Sequence, residues 1–199
     1  NRKIFVMMPA SLRTNYFEEL KKCGNPIYRK NQHWEFIDTV KYPEHIDTLS
    51  KVLHLPVSVI EKQKGAWMVD VTKEPNYDTL EENDQKMLEY QLNEMIISKF
   101  IFYNYNNPNI KKDVNTTMTN NHSKNPFDNK VVIIDEAHNL IGRIVNKMGP
   151  NYNNVKKEDL PVAINLYRYL MNAENCRIIL LTGTPIINYP NEIGVIYNI

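Results

Sequence analysis

The residues best suited to chemistry are two adjacent carboxylates, Asp135 and Glu136, followed by Ala137 and His138. They come directly after the aliphatic run 131–134, which is typical of a buried strand. In a parallel sheet, ligands bind beyond the carboxyl ends of the strands, where these side chains are expected to project. We predict that Asp135 binds Mg²⁺ through a water molecule and that Glu136 activates the water that attacks a terminal phosphate. The alternative is that the acids only begin a helix, where they favour its dipole.

A second polar sequence, Thr-Gly-Thr-Pro at 182–185, also follows an aliphatic run. Glycine lets the backbone turn sharply and proline ends a strand, so the segment reads as a turn at the carboxyl end of a strand. The two threonine hydroxyls can bond to groups at a neighbouring strand end. We therefore expect Thr182 and Thr184 to lie beside Asp135 and Glu136, although an ordinary turn explains the sequence alone.

A third candidate lies near the amino end, where the apolar run 4–8 leads into Pro-Ala-Ser-Leu at 9–12. The start of the helix expected there offers free backbone N–H groups, and Ser11 and Arg13 add donors for a nucleic-acid phosphate. A plain strand-to-helix turn capped by Ser11 explains the same residues at least as well.

Hydrophobic patterning indicates the elements that position these residues. Strands that are apolar throughout at 4–8, 131–134 and 177–182, with a helix at 160–171 before the last, predict a parallel sheet with right-handed crossovers and an α/β fold. Residues 106–126, rich in Asn, Thr, Ser and Lys, predict a flexible solvated loop.

The segment before that loop has a different pattern. Short strands are predicted at 27–29, 34–37 and 66–71, and an apolar stripe from Leu80 to Ile96 predicts a long helix. A further strand is expected at 101–105. This mixture indicates an α+β segment that interrupts the parallel sheet.

The composition excludes several classes of protein. The 199 residues include 24 Lys and Arg against 23 Asp and Glu, so the net charge of +1 is not that of a strongly basic nucleic-acid-binding protein or an acidic tail. Cys23 and Cys176 lie far apart in the sequence, which argues against a disulfide framework or zinc site and favours an intracellular protein. No apolar run approaches the ~20 residues of a membrane-spanning helix, so we expect no membrane partner.

The segments Val-Val-Ile-Ile-Asp-Glu-Ala-His (131–138) and Leu-Leu-Thr-Gly-Thr-Pro (180–185) resemble motif II, a DEAH box, and motif III of superfamily 2 helicases. Residues 9–12 resemble motif Ia. Four further sequences narrow the resemblance to the helicase-like transcription factors of poxviruses and giant DNA viruses, in the Swi/Snf-like branch: 9–16, 103–106, 125–129 and 182–192. The resemblance is strong over 125–199 and weak over 22–75.

This resemblance implies a RecA-like first helicase lobe that uses ATP and Mg²⁺. Its expected partners are nucleic acid, with DNA favoured over RNA, a second helicase lobe, and RNA polymerase or transcription factors. Ser11 and Arg13 would contact the nucleic-acid backbone. If the protein is viral, it is expected in the host cytoplasm or the virion.

Carried over by position, the resemblance assigns Asp135 to Mg²⁺ and Glu136 to the lytic water. His138 would link hydrolysis to movement of the nucleic acid. Thr182 and Thr184 would couple the two lobes.

The sequence departs from the family in one essential part. None of its six glycines is followed by lysine, so the Gly-Lys-Ser/Thr phosphate loop is absent. The second lobe is absent too, and a strand is expected only three residues from the start. We therefore predict an incomplete first lobe, inactive alone, in which 22–75 is a family-specific insertion.

Two other functions stay open. The first is a non-catalytic RecA-like scaffold that docks transcription partners. The second, a metal-dependent hydrolase using Asp135, Glu136 and His138, is disfavoured because consecutive residues after a strand do not easily face one ion.

Overall fold

A computed structural model describes residues 3–105, 125–148, 161–187 and 190–199. Its contacts divide the chain into two compact units. We call Asn1–Leu12 with Ile101–Ile199 the sheet unit and Arg13–Phe100 the hairpin unit. The loop predicted at 106–126 lies outside the described residues except for its last two positions.

The helices and strands of the described residues are β1 (Ile4–Met7), α1 (Arg13–Cys23), β2 (His33–Asp38), α2 (Ile46–Leu53), α3 (Val57–Gln63), β3 (Gly65–Asp70), α4 (Glu82–Lys99), β4 (Phe100–Tyr103), β5 (Val131–Asp135), α5 (Ala137–Lys147), α6 (Val162–Met171), β6 (Arg177–Leu181) and α7 (Asn191–Asn198). Short 3-10 turns of the same described residues lie at Ala10–Leu12, Pro26–Tyr28, Pro43–His45 and Tyr77–Thr79. Within the described ranges, no helix is long and apolar enough to cross a bilayer.

As far as the chain is described, the main sheet has four strands in the order β4-β1-β5-β6. Strand β5 lies between β1 and β6 and runs parallel to both. The predicted α/β class, a parallel sheet with flanking helices, is confirmed, and the arrangement is compatible with a RecA-like lobe. Because β5 and β6 are parallel neighbours, their carboxyl ends lie at the same edge of the sheet.

The core of the sheet unit forms because its inner strands carry aliphatic and aromatic side chains with no polar interruption. Phe5 stacks on Tyr103 with ring centroids 5.8 Å apart and meets Phe127 edge-on at 5.5 Å. Val132 and Ile134 from β5 are fully buried in the same cluster, together with side chains from α5 and α6. Burying one such side chain stabilises the fold by about 1.5–3 kcal/mol.

Strand β6 is less buried than its mostly apolar sequence at 177–181 would suggest. Ile178 and Leu180 pack against the core, but Ile179 and Leu181 are each 44% exposed. The reason is that β6 is the edge of the sheet among the described residues, and one of its faces is not covered there. Its aliphatic sequence alone does not distinguish these two environments.

The hairpin unit contains a separate antiparallel pair, β2 and β3, with Phe36 opposite Trp67. The predicted strands at 34–37 and 66–71 correspond to this pair. The predicted strand at 27–29 is wrong, because Pro26–Tyr28 forms a 3-10 turn in which the Asn25 side chain accepts a hydrogen bond from the Ile27 N–H. The unit extends beyond the predicted insertion 22–75 on both sides, and its status as an insertion stays a prediction.

Two side-chain amides complete the hydrogen bonding of this small sheet. Gln91 is fully buried on α4. Its side chain accepts a hydrogen bond from the backbone N–H of Trp67 at 2.7 Å and donates one to the backbone carbonyl of Trp67 at 2.8 Å. The Asn76 side chain binds the backbone N–H and the backbone carbonyl of Trp34 in the same way, at 2.8 and 3.1 Å. An isolated two-stranded sheet is marginally stable, so these bonds on both strands help to hold it.

Candidate functional site

The ends of β5 and β6 bring together the two polar sequences that the motifs singled out. Asp135, the last residue of β5, lies opposite Leu181, the last residue of β6. The residues that follow each strand, Glu136 and Thr182, therefore leave the sheet side by side. The sequence predicted this arrangement from the rule that ligand sites form at the carboxyl edge of parallel strands.

The imidazole of His138 is the centre of the site. Its Nδ1 lies 2.9 Å from the Thr182 hydroxyl oxygen, 3.3 Å from that of Thr184 and 3.4 Å from Glu136 Oε2. The Thr184 N–H also donates to the Thr182 hydroxyl at 3.2 Å. Four of the predicted site residues therefore meet around one nitrogen atom.

The protonation state of His138 decides what that nitrogen does. With the proton on Nε2, Nδ1 accepts hydrogen bonds from the threonine hydroxyls. In the imidazolium form, Nδ1 becomes a donor and the charge attracts the Glu136 carboxylate. The side chain of His138 is only 15% exposed, while that of Glu136 is 42% exposed, so the carboxylate is the part open to solvent.

The backbone at Glu136 has an unusual conformation. Its φ of 50° and ψ of 47° lie in the left-handed region, which costs a residue with a Cβ about 1–2 kcal/mol. The Glu136 N–H donates to Asp135 Oδ1 at 3.0 Å, and the Glu136 carbonyl accepts from the Asn139 N–H at 2.9 Å. Strain of this kind concentrates at functional sites, where the surrounding structure maintains it.

Sequence reasoning missed Tyr105, which supports this turn. Its hydroxyl donates to the carbonyl oxygens of Asp135, at 3.3 Å, and of Glu136, at 3.2 Å. Burial raises the pKa of Tyr105 by more than its hydrogen bond with Asn139 lowers it, so the hydroxyl keeps its proton and remains a donor. No local pattern marks this role, since the Tyr-Asn-Tyr-Asn run at 103–106 reads as ordinary packing.

The side chains around Asp135 are compatible with the predicted Mg²⁺ only if substrate and water supply most of its ligands. Among the described residues there is no group of three or more His, Cys, Asp or Glu side chains that could hold a metal. Mg²⁺ does not need such a group, because it commonly binds one or two carboxylates, several waters and substrate phosphates. The half-buried Asp135 carboxylate at the strand end is suited to that role.

The predicted nucleic-acid contacts, Ser11 and Arg13, are both exposed but lie in different units. Ser11 is in the 3-10 turn Ala10–Leu12 of the sheet unit. Arg13 begins α1 of the hairpin unit, and its guanidinium lies 5.7 Å from the centre of the Phe17 ring. Their role as phosphate ligands stays a prediction.

Comparison with known proteins gives partial matches to viral proteins. No protein-family model matches the chain. Over 68 residues, 34% of the chain, it is 38% identical to the termination factor NPH-I homolog of African swine fever virus, in several isolates. Over 105 residues, 53% of the chain, it is 32% identical to a protein of Acanthamoeba polyphaga mimivirus that is provisionally named an ATP-dependent RNA helicase.

These matches cover 8% of the African swine fever virus proteins and 18% of the mimivirus protein. These partial matches, at 32% and 38% identity, confirm the predicted resemblance to helicase-like viral proteins. The relatives are much longer than this chain, so their complete activities are not carried over to it by the comparison.

Proposed function

We propose that this chain is part of a nucleic-acid-dependent ATPase, a helicase or translocase that acts in viral transcription. The observation that carries the proposal is the meeting of Glu136, Thr182 and Thr184 around His138, beside Asp135, at one edge of a parallel sheet. The names of the relatives, a termination factor homolog and an RNA helicase, support the same activity. The activity proposed is that of the full-length protein, of which this chain supplies the water-activating edge.

ATP and Mg²⁺ are the proposed cofactors. Bound Mg²⁺ neutralises negative charge that develops on the transferred phosphate. Asp135 is the residue that would hold the ion, through a water molecule. The sequence has no Gly-Lys-Ser/Thr loop for the nucleotide phosphates, so this chain alone is expected to bind ATP poorly.

Glu136 is the proposed base for the attacking water. Its carboxylate is partly open to solvent, and its left-handed backbone is fixed by the bonds of its carbonyl to Tyr105 and Asn139. A carboxylate held in this way orients a water molecule and accepts its proton.

His138 is the proposed link between Glu136 and the end of β6. When Glu136 gains a proton it loses its attraction for imidazolium, and the contacts of Nδ1 with Thr182 and Thr184 then dominate. A change in the protonation of Glu136 during hydrolysis would in this way alter the contacts of the turn after β6. The same turn would contact a second lobe in the full-length protein.

Nucleic acid is the proposed partner, with Ser11 and Arg13 contacting its phosphates. The viral motif resemblance favours DNA, whereas the name of the mimivirus relative specifies RNA. RNA polymerase or transcription factors are further proposed partners, which is consistent with a termination factor among the relatives.

The test uses the full-length protein and measures nucleic-acid-stimulated ATP turnover. Replacing Glu136 with Gln should lower turnover by about 10²–10⁴-fold, because the base is lost while the side-chain shape is kept. Glu174→Gln, at an exposed position of the sheet unit, is the matched control and should leave turnover unchanged. Near-normal turnover in Glu136→Gln would refute the assigned role, and a wild-type protein without ATPase activity would favour the non-catalytic scaffold.

A further inference from the structure

The hairpin unit carries a groove whose residues take no part in the proposed ATPase site. One hollow of about 490 Å³ lies against Phe36 and Trp67, and a second of about 370 Å³ lies against Tyr90. The two hollows share Gln63, Lys64 and Met87 and are therefore neighbours, and we call them together the groove. Each volume is in the range that binds a small ligand or a few side chains of a partner.

The floor of the first hollow is aromatic and is built by the β2–β3 pair itself. The Phe36 and Trp67 rings lie 5.2 Å apart, and Phe36 is 39% exposed. Gly65 makes this possible, because a Cβ at that position would lie 2.5 Å from the Phe36 ring. An exposed phenyl ring that rests on a glycine and a buried indole offers a fixed apolar surface to an occupant.

Two buried polar atoms of the residues that line this hollow lack a hydrogen-bond partner within the part of the chain that the structure describes. They are the Trp67 indole N–H and Gln63 Oε1. The other tryptophan differs, since the Trp34 indole donates to the Lys30 carbonyl at 3.0 Å. Buried polar groups are normally paired. Both side chains line the first hollow, so an occupant of the groove would change the surroundings of the Trp67 indole.

The charges along the groove have opposite signs at its two ends. Asp38 and Asp84 line the first hollow, whereas Lys62, over the Tyr90 ring, and Lys86, which is ion-paired with Glu82, line the second. Lys64 lies where the two hollows meet. A nucleic-acid strand is negative along its whole length and would meet the two aspartates unfavourably. A protein segment can carry both signs and so can match both ends.

We propose that this groove binds a short segment of a partner protein, in which an apolar side chain lies between a basic and an acidic residue. The apolar side chain would occupy the hollow at Phe36. The basic residue would face Asp38 and Asp84, and the acidic residue would face the lysines. This docking site is independent of the ATPase chemistry and stands even if Glu136 has no catalytic role.

The test begins with a display library of random dodecapeptides selected against the full 199-residue chain. The best peptide is labelled with fluorescein and its affinity is measured by anisotropy. Phe36→Ser and Asp84→Lys should each raise the dissociation constant about tenfold or more, as substitutions at the centre of an interface do. Asp47→Lys, which reverses an acid in the first turn of α2 outside the groove, should leave it unchanged.

The two indole groups supply an internal control. In a ¹⁵N-labelled chain, the peptide should shift the indole N–H signal of Trp67 and leave that of Trp34 in place, since Trp67 lines the groove and Trp34 does not. If Phe36→Ser does not fold, the affinity is measured with Val40→Lys instead, which should also raise the dissociation constant. Val40 lines the groove and is 69% exposed.

Three outcomes would overturn the proposal. The first is that no peptide is enriched, and the second is that the groove variants bind the selected peptide as well as wild type does. The third is displacement of the peptide by a single-stranded oligonucleotide, which would identify nucleic acid as the occupant.

Discussion

The sheet unit and the hairpin unit use their polar side chains in different ways. In the hairpin unit, Gln91 and Asn76 are each bound to both backbone groups of one strand residue. In the sheet unit, Glu136, His138 and the threonines contact one another at a strand edge. The polar groups of the first unit complete its fold, whereas those of the second are gathered where a ligand can reach them.

This difference separates a structural polar network from a candidate catalytic one. The buried Gln91 amide binds both backbone groups of one strand residue and is enclosed by the fold, so a ligand does not reach it. A partly exposed carboxylate beside an imidazole is open to a ligand, and its backbone strain costs stability. Substitutions should therefore affect stability in the hairpin unit and turnover in the sheet unit.

The largest expected effect on stability is that of Gln91→Leu. The substitution leaves the buried N–H and carbonyl of Trp67 without partners, which should lower the free energy of unfolding by about 2–4 kcal/mol. Urea unfolding of the chain measures it. Gln85→Leu, on the same helix, is the control and should cost less than about 1 kcal/mol, because Gln85 is partly exposed and water replaces its two bonds. Equal losses of unfolding free energy in the two variants would show that the bonds of Gln91 to the Trp67 backbone do not stabilise the unit specially.

Tyr105→Phe should lower both stability and turnover. We expect a loss of about 1 kcal/mol in the free energy of unfolding and a several-fold loss in turnover of the full-length protein. The hydroxyl that holds the Asp135 and Glu136 carbonyls is lost, and the left-handed turn is released. Tyr77→Phe is the matched change in the hairpin unit, where the hydroxyl donates to Glu89 at 2.8 Å. It should lower stability similarly and leave turnover unchanged. A turnover loss of the same size in both variants would remove the distinction between the units.

The smallest expected effect is a pH dependence in the hairpin unit. The hydrogen bond from Lys30 holds the pKa of Glu89 below its usual value, and a bond from Tyr77 acts in the same direction. The ionised Glu89 carboxylate therefore stabilises the fold above the pKa of Glu89 in the unfolded chain, about 4.3. This stabilisation is lost as the pH falls through the lower pKa of Glu89 in the folded chain. The pair is partly exposed, so Glu89→Gln should cost less than about 1 kcal/mol at neutral pH and nothing below both pKa values. Urea unfolding at neutral and acidic pH checks this, and an equal loss at both would contradict it.

The sequence was most informative where local pattern and position act together. Aliphatic runs that end in Asp135 and Thr182 were enough to predict neighbouring parallel strands, and that prediction places His138 near Thr184. The exposure of Ile179 was not predicted, because burial depends on which strand forms the edge of the sheet.

Contacts between distant residues were beyond local pattern. Gln91 interrupts an apolar stripe and binds Trp67, 24 positions earlier. Tyr105 binds a carbonyl 31 positions later. At 27–29 the apolar residues suggested a strand, but Pro26 and the Asn25 side chain favour the turn that forms instead. For Gln91 and Tyr105 the partner is distant in the sequence, whereas the Asn25–Ile27 bond is a local turn signal that the strand prediction overlooked.

The most direct test of the account is a double-mutant cycle between the two strand ends, measured by nucleic-acid-stimulated ATP turnover of the full-length protein. His138→Ala, Thr182→Val and the double variant are compared with wild type. If the two ends form one site, the effects should be non-additive, with a coupling energy of about 1 kcal/mol or more. Additive effects, or turnover unchanged in all three variants, would contradict the claim that His138 and Thr182 work as one site.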